Sequence, residues 1–214
     1  MTPAAAESSS PPAVRDRIVE VARRQLFRFG YAALTMDGLA TELGMSKKTL
    51  YVHFAGKDVL VDEIILGFAE EVREGAATLF ADETLGFAEK LVRFTEAMIA
   101  RFARVPPTLF RELERFAPEV HRHIEELRFR NIPVVFGRII AEGQKAGMVR
   151  RGVDPAFATE FWRAAIQSLM HPDAQERLGL RPEQVFVQAL NLFCGGLLTS
   201  EGMKDYENLS NHRN

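Results

Sequence analysis

Cysteine occurs once in these 214 residues, at Cys194 within the apolar run Leu192 to Leu198. That excludes a disulfide framework and a thiolate zinc site, and a reducing cytoplasm is the expected compartment for a packed, unreactive thiol. No run approaches the roughly 18 apolar residues that a membrane span requires. Residues 1–12, MTPAAAESSSPP, contain Glu7 and no basic segment leading into an apolar stretch, so a disordered tail is expected there rather than a secretion signal. HExxH, GxxxxGK, GxSxG and clustered Cys/His patterns are all missing, which argues against an enzyme and against a metal or other cofactor. His121 and His123 form an H-x-H pair, but residues two apart on a helix lie about 200° apart and cannot share one ion.

Net charge is also small, at −2, yet it is unevenly spread. Residues 13–60 carry eight basic against five acidic side chains, a net +3, and the remainder of the chain is correspondingly acidic. A basic head on an acidic body is the electrostatic footprint of a nucleic-acid binder, since phosphate neutralisation supplies most non-specific affinity.

After Pro12 nearly every segment has helical spacing and none alternates as a strand would, so an all-α fold is expected. The first helix should span about 13–29, with Ile18, Val21, Ala22, Leu26 and Phe29 on its inner face and Gly30 as its stop. Two short helices follow, Met36 to Leu43 and Lys47 to His53, separated by a three-residue turn that begins with Gly44. Thr35 and Ser46 are suited to cap them, each offering an oxygen to the unpaired N–H groups of the opening turn. A longer helix starts near Lys57. The body reads as helices at about 84–104, 107–116, 119–146, 155–171 and 182–200, with a kink or break at Pro133. The resulting division is a tail at 1–12, a three-helix head at 13–60, a larger helical body at 61–205 and a flexible tail at 206–214.

The second short helix fits the part of a recognition helix, glued on one face and free on the other. At 100° per residue Leu50 and Phe54 lie within about 40° of each other and form the buried side. Lys48, Thr49, Tyr51 and Val52 then point outward, with Lys47 and His53 on the flanks and Lys57 opening the next helix. A cation, a hydroxyl, a phenol and a methyl-bearing side chain provide for phosphate contact, base-edge hydrogen bonding and packing on thymine methyls. With the caps, the candidate DNA-binding set is Thr35, Ser46, Lys47, Lys48, Thr49, Tyr51, His53 and Lys57.

From Arg15 to Leu60 the chain resembles the DNA-binding head of the tetracycline-repressor (TetR) family, because Leu39-Ala40, Leu43-Gly44, Ser46-Lys47, Thr49-Leu50-Tyr51 and Phe54 all fall in register. The resemblance implies a homodimer on a near-palindromic double-stranded DNA operator, with a larger C-terminal domain that binds a small molecule. It further implies Thr35, Lys47, Thr49, Tyr51, His53 and Lys57 as DNA contacts. Lys48 departs from the pattern, standing where the family often has a small residue, and Gly56 replaces the commoner Ser or Asn cap.

In the body, residues 182–200 are apolar nearly all round after Gln188, so the helix must be covered on two sides. A partner subunit is the expected second cover, with 155–171 as the companion helix and Gly195 and Gly196 allowing close approach. Phenylalanine is abundant, at sixteen residues. Such residues are most often plain core, but family resemblance points to a cavity, for which Phe102, Phe110, Phe129, Phe136, Phe161 and Trp162 are the candidate lining. The expected effector is a small hydrophobic molecule.

Overall fold

The structure, a computed structural model, describes residues 13–211. The expected tail at 1–12 lies outside them. Eleven helices make up the described chain: α1 (Val14–Ala33), α2 (Met36–Leu43), α3 (Lys47–His53), α4 (Lys57–Ala81), α5 (Phe87–Phe102), α6 (Leu109–Phe116), α7 (Pro118–Lys145), α8 (Pro155–Leu169), α9 (Pro172–Leu178), α10 (Pro182–Leu197) and α11 (Ser200–Asn211). The one extended pairing among these residues is an isolated antiparallel bridge between Val149 and Leu198. No described helix is long and apolar enough to cross a membrane.

The short helices begin and end where local chemistry requires it. Thr35 accepts from the Gly38 N–H at 3.1 Å and Ser46 from the Thr49 N–H at 3.1 Å. Gly44 closes α2 in the left-handed region at φ 64°, where a Cβ would be strained. In α1, Ile18, Ala22 and Leu26 are buried, but Phe29 is exposed, contrary to expectation. Gly30 departs from helical geometry with φ 86° and ψ 177°, so the helical ridge ends before Phe29 meets a neighbour, and its ring lies instead against Arg28.

Three further expectations are corrected. Helix α7 runs unbroken through Pro133. Proline deprives the Phe129 carbonyl of its donor, but both residues are exposed, so water can satisfy that oxygen while Val135, Phe136, Ile139 and Ile140 anchor the following turns. Residues 206–211, expected within a flexible tail, form the second half of α11, because Tyr206 is buried where that helix packs on α5. Helix α9 is an element that the sequence reading does not contain.

The apolar interior has two parts. One core joins Leu26, Leu39, Leu50, Phe54 and Ile64 of α1 to α4 with Leu109 and Leu113 of α6 and Ile124 of the first half of α7. The other gathers α5, the second half of α7, α8, α10 and α11 around Phe94, Phe136, Trp162 and Phe193. Phe102 packs against both. The N-terminal head therefore shares its interior with α6 and half of α7, and the expected boundary at residue 60 falls inside α4, whose Leu60, Val61 and Ile64 are all buried in the same core.

Candidate nucleic-acid interface and ligand cavity

Helix α3 is held by its inner face and its ends. Leu50 and Phe54 are fully buried, each anchoring the helix by about 1.5–3 kcal/mol of apolar burial. Lys48, Thr49, Tyr51 and Val52 are exposed on the opposite side. At the C-terminal end, Arg15 of α1 donates from Nη1 to the His53 carbonyl at 2.8 Å and pairs with Glu63 of α4 through Nε at 3.1 Å, while its guanidinium lies 4.3 Å from the Phe54 ring centroid. A cation at a helix C-terminus is favoured by the aligned peptide dipoles. Arg15 thus fixes the angle of α3, a role invisible in a linear reading because its partners lie 38 and 48 residues away.

The flanking cations have protein partners. Lys47 pairs with Asp37 at 2.6 Å, with both side chains more than 60% exposed. Such a surface pair contributes about 0–1 kcal/mol and yields readily to a phosphate. The Lys57 ammonium lies 3.7 Å from the Tyr31 ring centroid, and partial burial lowers its pKa from the ordinary lysine value against the opposing pull of Asp58 and Glu112. The Tyr31 hydroxyl donates to Asp58 at 2.5 Å; burial first, then that bond, raises its pKa well above the usual phenol. Ser46 and Thr49 hydroxyls lie 2.9 Å apart. Gly56 offers no side-chain cap, so the opening N–H groups of α4 stand beside Lys57 without one.

A second feature lies deeper. A cavity of about 160 Å³ sits at the seam between the two cores, bordered by α1, α4, α5, α6, α7, α8 and α10. Phe102, Phe110, Phe136 and Trp162 line it. The Phe136 and Trp162 rings pack at 4.7 Å and Trp162 meets Phe186 edge-on at 5.9 Å. Phe129 and Phe161 are not among the lining residues; both are exposed, Phe129 against Arg163 and Phe161 stacked on Phe193 at 6.4 Å. Helical geometry explains the error for Phe161: it is about 100° from Trp162, so the two cannot both face inward. Phe27, Phe68, Phe94 and Phe186 complete the aromatic wall, and two polar residues, Arg128 and Asn131, join it from α7.

Among the described residues no three His, Cys, Asp or Glu side chains are grouped to hold a metal. His123 Nδ1 lies 2.8 Å from Asp62. Cys194 is fully buried, and desolvation pushes its thiol pKa up to about 12.

Residues 18–64 match the model of the bacterial regulatory proteins of the tetR family. Across 185 residues the chain is 28% identical to an uncharacterised HTH-type transcriptional regulator, YvaF, of Bacillus subtilis (strain 168), covering 86% of this chain and 96% of that one. The TetR-family regulator PfmR of Thermus thermophilus is 26% identical with a TM-score of 0.55, over 85% of this chain and 98% of that one. SmeT, repressor of the Stenotrophomonas maltophilia multidrug efflux pump SmeDEF, shares the fold at 18% identity and a TM-score of 0.58, over 88% of this chain and 92% of that one. With a capped helix-turn-helix whose outer face is free and a family match spanning all of it, residues 18–64 form a DNA-binding head of the tetR type, and the chain is a DNA-binding transcriptional regulator similar to members of that family.

Proposed function

We propose that the protein is a homodimeric cytoplasmic repressor that leaves a palindromic operator when a small apolar ligand enters the cavity. The observation that carries this reading is the cavity's position at the seam between the core shared with the head and the core of the rest of the body. Leu109 and Phe110 of α6 line the cavity, and on the same helix Glu112 accepts a hydrogen bond from the Ala32 N–H at 2.8 Å. A ligand that displaces α6 therefore pulls on the C-terminal end of α1. SmeT has been captured in complex with triclosan, a precedent on this fold for a small-molecule complex.

Dimerisation is supported by an uncovered apolar face. Phe157 and Phe161 of α8 and Leu192 of α10 are 72%, 57% and 81% exposed. Nothing lies within 4 Å of where a Cβ would stand at Gly195 or Gly196, so a second copy can approach closely there. Two such copies present paired α3 helices to successive major grooves about 34–36 Å apart. Thr35, Ser46, Lys47, Lys48, Thr49, Tyr51, His53 and Lys57 then contact the DNA, and Phe102, Phe110, Phe136 and Trp162 contact the ligand. Release requires the ligand to favour the non-matching conformation; moving the equilibrium from 1:99 to 99:1 takes about 5.5 kcal/mol of differential affinity.

The test is selection of bound fragments from genomic DNA, followed by anisotropy titration of the recovered site with and without a panel of apolar compounds. A palindromic site released by at least one compound is the expected result. Binding to a single half-site, or an operator complex indifferent to every compound, overturns the reading.

A further inference from the structure

The cavity wall is apolar but for two residues, Arg128 and Asn131, three apart on α7. They interrupt the inward stripe formed by Ile124, Leu127 and Val135, where aliphatic side chains would otherwise be expected. Asn131 also stands at an edge of the cavity. A shallow notch on the outer surface between α4 and α7, bordered by Gly67, Glu70 and Arg130, shares Ala69, Leu127 and Asn131 with the cavity wall, so the two spaces meet there.

The carboxylates around this mouth already have partners. Glu63 and Glu70 at the notch are taken by Arg15 and Arg73 respectively. Glu125 accepts from Arg128 Nη1 at 2.6 Å; Arg128 borders the cavity and Glu125 does not. That bond engages one of five N–H donors in the planar fork, and the group stays protonated at neutral pH. Arg130 adds a further positive charge at the rim.

We infer that the ligand is a small organic carboxylate, its apolar body in the aromatic cavity and its anionic end held by Arg128 and Asn131 at the mouth between α4 and α7. The inference rests on the proposal that this cavity is the effector site, and names the chemistry that the site selects. A carboxylate buried without a donor is strongly disfavoured, and a paired guanidinium and amide remove that penalty through charge-assisted bonds. The cavity size suits a ring-sized body, since an apolar cavity of about 150 Å³ admits benzene. Arg128 also lies 5.0 Å from the Phe110 ring centroid, so an anion that draws the guanidinium aside acts directly on α6.

Trp162 lines the cavity and is the chain's single tryptophan, so its fluorescence reports occupancy in the full-length protein. Phenylbutyrate and octanoate are titrated against the matched alcohols and amines. Each carboxylate is expected to bind about tenfold or more tightly than its alcohol, and Arg128→Met to abolish the difference. Equal binding of carboxylate and alcohol by the unmodified protein, or a preference for the amine, overturns the anionic assignment and leaves the cavity proposal standing. Silence of every compound, charged or neutral, overturns both. The comparison within the unmodified protein decides even if Arg128→Met fails to fold, and Arg128→Lys, which keeps the charge, is expected to retain part of the preference.

Discussion

Replacing Gly30 by alanine tests the link between head and body at its narrowest point. Gly30 has φ 86° and ψ 177°, a region essentially confined to glycine, so any side chain there costs about 1–3 kcal/mol in backbone strain. An added Cβ would stand 2.8 Å from Glu112 Oε2 and 3.1 Å from Oε1. The carboxylate end is flexible and can swing away, but it then releases the Ala32 N–H. A hydrogen bond to a charged group contributes about 1.5–3 kcal/mol when buried. Ala32 is exposed and water can replace the partner, so roughly 1 kcal/mol is the appropriate share here. The expected loss is about 2–4 kcal/mol. Urea unfolding followed by Trp162 fluorescence and by helical circular dichroism, at one fixed protomer concentration, measures it. The double variant Gly30→Ala with Glu112→Ala separates the two contributions: the carboxylate share should vanish from the cycle while the backbone share remains. A loss below about 1 kcal/mol for Gly30→Ala would show that the turn relaxes freely, and the strain argument would fail.

Other expectations follow from the same geometry. Lys57→Ala should weaken operator affinity uniformly across sequences and reduce the salt slope by about one, with only the roughly 0.5–1 kcal/mol of its contact with Tyr31 lost from stability; an unchanged salt slope removes it from the phosphate contacts. Gly196→Leu has open space within the protomer, so it should halve the sedimenting mass without altering helicity, and a persistent dimer moves the interface elsewhere. Cys194 should resist alkylation at pH 8 in the folded protein and react once it is unfolded. The unfolded thiol ionises near its ordinary 9.0 and the folded one near about 12, so between these values the unfolded state holds fewer protons and this residue's contribution to stability falls as pH rises; a urea midpoint that climbs over that window contradicts the burial argument.

The recognition elements were legible to the residue because their signals are local. Thr35, Gly44 and Ser46 each act on backbone groups within a few positions, and Leu50 and Phe54 share one side of a single short helix. The same kind of signal was present for α9, where Pro172 opens the helix and Gly179 closes it at φ 64°, but its polar interior PDAQERL carries little periodicity to draw attention. Helix α11 was hidden similarly, its start marked by Thr199, which accepts from the Gly202 N–H at 3.1 Å. What periodicity does not reveal is which neighbour an inward face meets. Phe136 and Phe161 are both apolar positions on helices, yet one borders the cavity and the other lies on the uncovered face of α8. Arg128 and Asn131 were readable in principle, as polar residues on the apolar stripe of α7, a pattern that conflicts with plain core packing.

The shared interior of the head bears on how such a regulator can be recombined. Cutting the chain after residue 60 leaves Leu26, Leu50 and Phe54 without α6 and the first half of α7, against which that core closes. A reading head transplanted onto a foreign body therefore needs its own α6 and an N-terminal portion of α7, with the splice falling inside a continuous 28-residue helix rather than in a loop. Hybrids joined at the apparent domain border should aggregate or be proteolysed, whereas hybrids spliced near Asn131 keep the head's core closed but carry α5, with Phe94 and Phe102, into the second core, so the recipient's α8 and α10 must be matched to them.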